Sequence, residues 1–399
     1  MAPLSRSGLL DGMRGSFLLF MTLSHMVLQG GLFLQNFHFR QLMFTESAQG
    51  FIFISGLLAG IVQGGRFLKK GERVMRRSIL SRMLELWIYT TALVALAWLA
   101  RDLLPEGIPA WKNWLGLSGF EDPFRILAVT TFLFQPTFAD ILPQYVVYLG
   151  LGLAIIPAVM RGRWLLVMAL SFLSWMVAQT GINGLLSTPL DHLVTAGDVQ
   201  GLRVAFDVFG WQILFVSGMV LGALTASREI AWDKVFRPDR FDLPLAALLV
   251  VLFFLPLRVA TAHGLLPVEL VKPFSAMEQR SNLGPVYVLN FLGVAGLVSW
   301  MMIAGPVCQI AWVATASRVL RSAFSLAPLR LLGRHSLQVY AWHVVLVYAA
   351  RYIDARWGLE GELHKTALTL SIFALLFLPA LWRERGRLRR EKTQSHVAA

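Results

Sequence analysis

One cysteine, Cys308, stands among 399 residues, so the chain can close no internal disulfide and is no disulfide scaffold. Charge is scarce too: Asp, Glu, Lys and Arg make up 15% of the residues, against roughly 25% in an average soluble domain. The short supply of acidic groups, 23 against 36 Lys and Arg, leaves a formal charge of +13. Other signals are missing altogether. There is no repeat of 20–50 residues, no Pro- or Ser-rich linker and no acidic block. Nor is there a P-loop, a GxGxxG after a strand, an HExxH, a cysteine pair or a GxS elbow, which removes the usual ATPase, dinucleotide, zinc and hydrolase signatures.

What fills the space is apolar: 56% of the residues are hydrophobic and the mean hydropathy is +0.61. No soluble fold could hide that much apolar surface, so the chain reads as a polytopic membrane protein. Runs long enough to span, about 20 residues each, begin near residues 16, 44, 79, 143, 164, 209, 243, 286, 336 and 366. A weaker run at 125–138 holds Gln135 and Pro136. If it does not cross and the N-terminus is cytoplasmic, the inside loops carry 25 Lys and Arg and the outside loops nine. Were it to cross, that bias would collapse. The basic charge therefore reports topology, and nucleic-acid binding is not expected. The expectation is an all-α helical bundle of about ten transmembrane helices, one domain over 1–399, with both termini cytoplasmic. The segment 1–15 precedes the first span, 383–399 forms a basic tail near anionic lipid, and the first apolar run is retained rather than cleaved.

An ionisable group inside a span is a functional candidate by default. In LDGMRGSFLLFMTLSHMVLQGG the side chains of Asp11, Arg14, Thr22, His25 and Gln29 fall within about 80° at 100° per residue. Arg14 and His25 stand about 16 Å apart along such a helix, which puts Arg14 at the cytoplasmic mouth and His25 near mid-depth. A lone histidine is often only a packed one, but a packed one needs no arginine and aspartate aligned beneath it. The second run, FTESAQGFIFISGLLAG, brings Glu46, Ser47, Gln49 and Ser55, with Gly50, Gly56 and Gly60 allowing close helix approach. Glu46 reads either as a helix cap or as a carboxylate facing the cavity of His25. His343 lies seven residues into the run that starts at Ser336, as packing or as a second wall of the site. Trp211 and Gln212 fall at the outer interface, where Trp commonly anchors.

A mid-membrane histidine can take and return a proton or carry an acyl group. A basic cytoplasmic entrance suits an anionic donor such as acyl-CoA, and an outer vestibule with Glu46 and Trp211 suits a hydroxyl-bearing acceptor. Proton-coupled transport or export of an envelope saccharide or anion uses the same groups, and a scaffold role would use none of them.

LDGMRG with His25, FTESAQGFIFISG, LPQYVVYL at 142–149, WQILFVSG at 211–218 and LGRHSLQVYAWH at 332–343 follow one another along the chain. This ordered set resembles the OpgC-type membrane acyltransferases that succinylate osmoregulated periplasmic glucans. The spacing of Arg14 and His25 is similar to that of the broader acyltransferase-3 superfamily. The resemblance implies an O-acyltransferase of the bacterial inner membrane with His25, Arg14 and Glu46 as catalytic residues, Asp11 before the arginine and Glu46 opening the second span. It implies a late histidine at His343, succinyl-CoA as the donor and a periplasmic glucan as the acceptor. Ser47, Gln49, Ser55, Trp211 and Gln212 would then join the substrate-facing set, with no metal. The oligomeric state stays open, a homodimer among the options.

Overall fold

A computed structural model describes residues 8–397, with the side chains of Val268 and 388–397 left aside. The described chain is helical throughout, and its only strand-like pairing is an isolated bridge between Phe134 and Arg203. In order, the helices are α1 Gly8–His25, α2 Ser47–Lys70, α3 Glu72–Leu103, α4 Gly107–Leu115, α5 Pro123–Thr130 and α6 Ile141–Met160. Next come α7 Trp164–Thr180, α8 Gly184–Val194, α9 Val208–Ala226, α10 Trp232–Val235, α11 Asp242–Ala262 and α12 Val268–Val271. The last six are α13 Pro285–Ile303, α14 Ala311–Phe324, α15 Ala327–Arg334, α16 Ser336–Trp357, α17 Glu362–Leu375 and α18 Leu378–Val397.

Every one of the ten apolar runs forms a helix. Among the described residues, however, seven helical segments are long and apolar enough to cross a membrane: α2, α3, α6, α9, α11, α13 and the stretch Glu362–Arg387. An eighth is added if α7 and α8, bent by 68°, count as one span. The other two runs fall on α1 and α16. Both carry ionisable side chains, Asp11, Arg14 and His25 in the first and His343, Arg351, Asp354 and Arg356 in the second. Of the weak run at 125–138 only 125–130 is helical, as part of the eight-residue α5. At 1.5 Å per residue α5 reaches about 12 Å, too short to cross as a helix. Asp122 starts that helix by accepting from the Phe124 and Arg125 amides.

Contacts divide the chain into two compact units, and helices α3, α4 and α14 contribute to both. The first comprises Phe39–Trp98 and Trp114–Arg321. At its centre α2 and α9 touch backbone to backbone. Gly56 and Gly60 of α2 lie against the carbonyls of Phe215 and Met219, while Gly218 and Gly222 of α9 lie against those of Phe53 and Leu57. Two glycine pairs at four-residue spacing thus face each other, which is how small residues let apolar helices gain packing where no hydrophobic effect drives them together. Helices α6 and α7 flank α9, and α11 packs on α13. The connecting segments are clamped by a buried ion pair, Arg125 Nη2 to Asp198 Oδ1 at 2.9 Å. The other carboxylate oxygen, Oδ2, accepts from the amides of Leu117 and Ser118. Arg125 also lies 3.8 Å over the Phe134 ring, so its cation is met by charge, amide-held carboxylate and π-face at once.

The second unit holds the described residues up to His38, Leu99–Asn113 and the chain from Ser322. Here α1 crosses α15 just as closely. A Cβ on Gly12 or Gly15 would strike the carbonyls of Phe324 and Leu329, and one on Gly333 would strike that of Asp11. Trp111 of α4 donates its indole N–H to the Tyr348 carbonyl of α16 at 3.0 Å. His38 closes back on α1 through the Phe20 carbonyl at 3.1 Å.

Candidate functional site

The stripe on the first helix ends sooner than the sequence pattern implies. Helix α1 stops at His25, and the chain turns through Gly30 and Gly31, with φ of 71° and 83°. Gln29 therefore leaves the stripe. Its amide donates to Asp354 Oδ2 at 2.7 Å, and its carbonyl accepts from Lys365 Nζ at 2.6 Å. Lys365 also reaches the Gly31 carbonyl at 3.1 Å. Asp354 and Lys365 are buried charges from α16 and α17 that fix the turn after His25. Sequence reasoning passed over both. Asp354, three residues after Arg351 near the end of the ninth apolar run, was the available signal.

His25, at the end of α1, is half-buried and meets the fully buried His343 of α16, Nδ1 to Nε2 at 3.2 Å. The ring centroids are 5.4 Å apart and tilted by 31°. The other nitrogen of His343, Nδ1, lies against the carbonyl oxygen of Tyr340, three residues back on the same helix. A carbonyl only accepts, so that Nδ1 carries the proton and neutral His343 presents a lone pair at Nε2. His25 must then donate from Nδ1, which puts its own lone pair on Nε2. One backbone carbonyl thus sets the tautomers of two rings in series. Asp11 is buried in the first turn of α1 and Arg14 is half-buried one turn on. Thr22 is spent within the helix, its hydroxyl donating to the Leu18 carbonyl at 2.7 Å.

In the first unit Glu46 is the N-cap of α2 and shares a capping box with Gln49, whose Oε1 accepts from the Glu46 amide at 2.6 Å. It also takes an ion pair from Arg280, Nε to Oε2 at 2.7 Å. The cap and the charge are thus one residue, and Arg280, a loop residue, is a partner the sequence did not reveal. Ser47 and Ser55 are buried with no hydrogen-bond partner for their hydroxyls among the described residues. Ser55 lines a cavity of about 10 Å³ with Gln144, Tyr145, Tyr148 and Phe215, room for a single water.

Three expected acceptor contacts are occupied by the protein itself. Gln49 donates to the Tyr287 carbonyl at 3.2 Å. Trp211 is fully buried and gives its indole N–H to the carbonyls of Arg280 and Ser281. Gln212 and Ser171 exchange two hydrogen bonds at 2.7 Å. These side chains hold α13, the Arg280 loop and α7 in place, because a buried amide or indole must find a partner and the nearest one is a neighbouring segment. Trp211 is neither a belt anchor nor a residue open to substrate.

Asp140, just ahead of α6, is buried, and burial pushes its carboxyl up to about 6 against the pull of the Arg280 charge. A raised carboxyl favours the fold at pH below its ordinary value, 3.8, and that contribution is lost as pH rises through about 6. Asp140→Asn is therefore expected to gain up to about 3 kcal/mol relative to the parent between pH 4 and pH 8. Thermal unfolding in detergent across that range checks it; parallel pH curves for the two proteins would refute it. Among the described residues no cluster of three or more His, Cys, Asp or Glu could hold a metal.

The family model described as OpgC protein matches residues 6–387, nearly the whole chain. The chain belongs to the OpgC family. Membership suggests a multi-pass membrane acyltransferase, in keeping with the apolar helices. No curated protein and no solved structure matches this OpgC-family chain.

Proposed function

We propose that the protein is an inner-membrane O-acyltransferase that moves a succinyl group from cytoplasmic succinyl-CoA to hydroxyls of a periplasmic glucan. The observation that carries this reading is the pairing of His25 with His343, in which the Tyr340 carbonyl leaves the His25 lone pair on Nε2. Nε2 takes the proton from a sugar hydroxyl as its oxygen attacks the thioester carbonyl. The carbon–sulfur bond breaks, and the departing thiolate takes the proton back from His25, giving succinyl ester and free CoA. His343 holds the ring that does this and accepts part of the positive charge as it forms.

Arg14, on the same helix face and toward the end that the charge bias makes cytoplasmic, suits the phosphates of the donor. The test is mass spectrometry of periplasmic oligosaccharides from a parent strain and a deletion strain, beside purified protein supplied with labelled succinyl-CoA. Loss of a succinyl-sized increment on deletion, with label transfer in vitro, is the expected result. Unchanged glucans and no label transfer would return the transport reading to the front.

A further inference from the structure

The stretch between α4 and α6 is not built like a loop in water. Helix α3, which the charge bias runs from the cytoplasmic side outward, carries no charged residue between Glu85 and Arg101. Near the outer end of that stretch the Trp98 ring meets Phe120, with centroids 5.3 Å apart. Eleven residues lower, the Trp87 indole donates to the carbonyl of Thr130, the last residue of α5, at 3.0 Å. Eleven helical residues rise about 16 Å. The chain thus descends along α3 by about half the thickness of a ~30 Å hydrocarbon core. It reverses at Phe132, with φ of 67°, and returns to the start of α6 at Ile141, which the same bias places outside.

The faces of α5 are inside out for water. Phe124, Ile126 and Leu127 are 65%, 38% and 56% exposed, while Arg125 is fully buried against Asp198. A helix on an aqueous surface turns its charge outward and its apolar residues inward. Helix α3, which α5 touches at Trp87, is exposed and apolar too, at Ile88 and Leu96. The reversal is also closed for a medium without water. The hydroxyls of Thr130 and Thr131 return to the carbonyls of Ile126 and Leu127 at 2.9 and 2.6 Å. The Ala128 carbonyl accepts the amides of both Leu133 and Phe134. Gln135 Nε2 covers the Phe132 carbonyl at 3.1 Å, and the Arg203 amide covers that of Leu133 at 3.0 Å. Water would serve these acceptors at no cost, but hydrocarbon cannot, so irregular backbone at depth must find its partners within the protein.

We propose that residues 123–139 form a re-entrant hairpin whose outward face, Phe124, Ile126 and Leu127, docks into the acyl chains of the outer leaflet. The ion pair of Arg125 with Asp198 keeps the charged side of α5 turned to the protein, and Trp87 holds the tip against α3. The segment enters the bilayer without crossing it, so the loops on either side stay on the same side of the membrane.

The experiment places single spin labels on the full-length protein in phosphatidylcholine–phosphatidylglycerol liposomes. Phe120→Cys, Phe124→Cys and Leu127→Cys are made in a Cys308→Ser background, and collision with oxygen is compared with collision with a water-soluble nickel chelate. Oxygen is expected to dominate at Phe124 and Leu127, with depth increasing from Phe120 through Phe124 to Leu127. The last step should be about 4 Å, the rise of three helical residues. All three side chains are exposed, so labelling should leave unfolding curves parent-like. Should one variant of α5 aggregate, Ile126→Cys reports on the same face. Ready access of the nickel chelate to Phe124 and Leu127 would put α5 in water and overturn the proposal. Equal depth at the three sites would lay the helix flat in the headgroup layer and overturn the hairpin. Exclusion of both reagents would mean that protein, such as a second copy of this chain, covers the face in place of lipid. None of these readouts uses catalysis, so the outcome is independent of the transferase reading.

Discussion

His25→Ala is expected to lower the rate of acyl transfer by about 10²–10⁴, with little change in KM for the donor. Removing the imidazole removes the one ring that the pairing leaves with a lone pair on Nε2, and alanine puts nothing in its place. His343 acts through His25 and is a positioning residue. His343→Phe fills the volume but gives the His25 Nδ1–H no acceptor, so the His25 tautomer is no longer fixed. A fall in kcat of about 10–10² is expected, with KM steady. His343→Gln can present a side-chain oxygen where Nε2 stood and should recover part of the loss. Equal losses in the Phe and Gln variants would mean that His343 only packs. Parent-like turnover in His25→Ala would sink the assignment of the pair altogether.

Gly60→Val and Gly222→Val are each expected to prevent assembly of the first unit, at a cost of about 3 kcal/mol or more. The Cβ built on Gly60 runs into the Met219 carbonyl and lies 2.8 Å from the Ala223 amide nitrogen. The one on Gly222 runs into the Leu57 carbonyl and lies 2.9 Å from the Ile61 nitrogen. Backbone atoms of a packed helix cannot swing aside as a side-chain tip can, so the helices must part along their length. Gly65, on the same helix, has nothing within 4 Å of its would-be Cβ, and Gly65→Ala should be neutral or raise stability by up to about 1 kcal/mol. Size-exclusion profiles and unfolding curves in detergent distinguish the outcomes. A monodisperse, parent-like Gly60→Val would show that the two helices can separate without harm.

Much of this was legible in the chain because lipid makes polar residues conspicuous. His25 and His343 stand out as ionisable groups in apolar runs, and they do meet. The spacing of Gly56 and Gly60 announced a close crossing, and one is present. Three things were hidden. The end of α1 at His25 has no local stop signal, since Gly30 and Gly31 follow only after further apolar residues; the turn is set by Asp354 and Lys365, over 320 positions away. For Gln49, Trp211 and Gln212, sequence gives a depth in the membrane but not whether a polar tip finds a neighbouring helix or a cavity. Arg280 was counted for topology alone, and counting basic residues says nothing of its pairing with Glu46.

The partners of α1 also impose an order on biogenesis. His25 waits for a residue 318 positions later, and the glycine crossing of α1 waits for α15. At roughly ten residues per second, about half a minute passes between the emergence of the first helix and that of its partners. Through that interval a helix bearing Asp11 and Arg14 must be kept from hydrocarbon by something other than its final neighbours, such as the insertion machinery or the headgroup layer. A ribosome stalled before Gly333 would leave this helix stranded and exposed to membrane quality control, while α2 and α9 could already have paired. The unit that holds the pair of His25 and His343 is therefore the last to become whole.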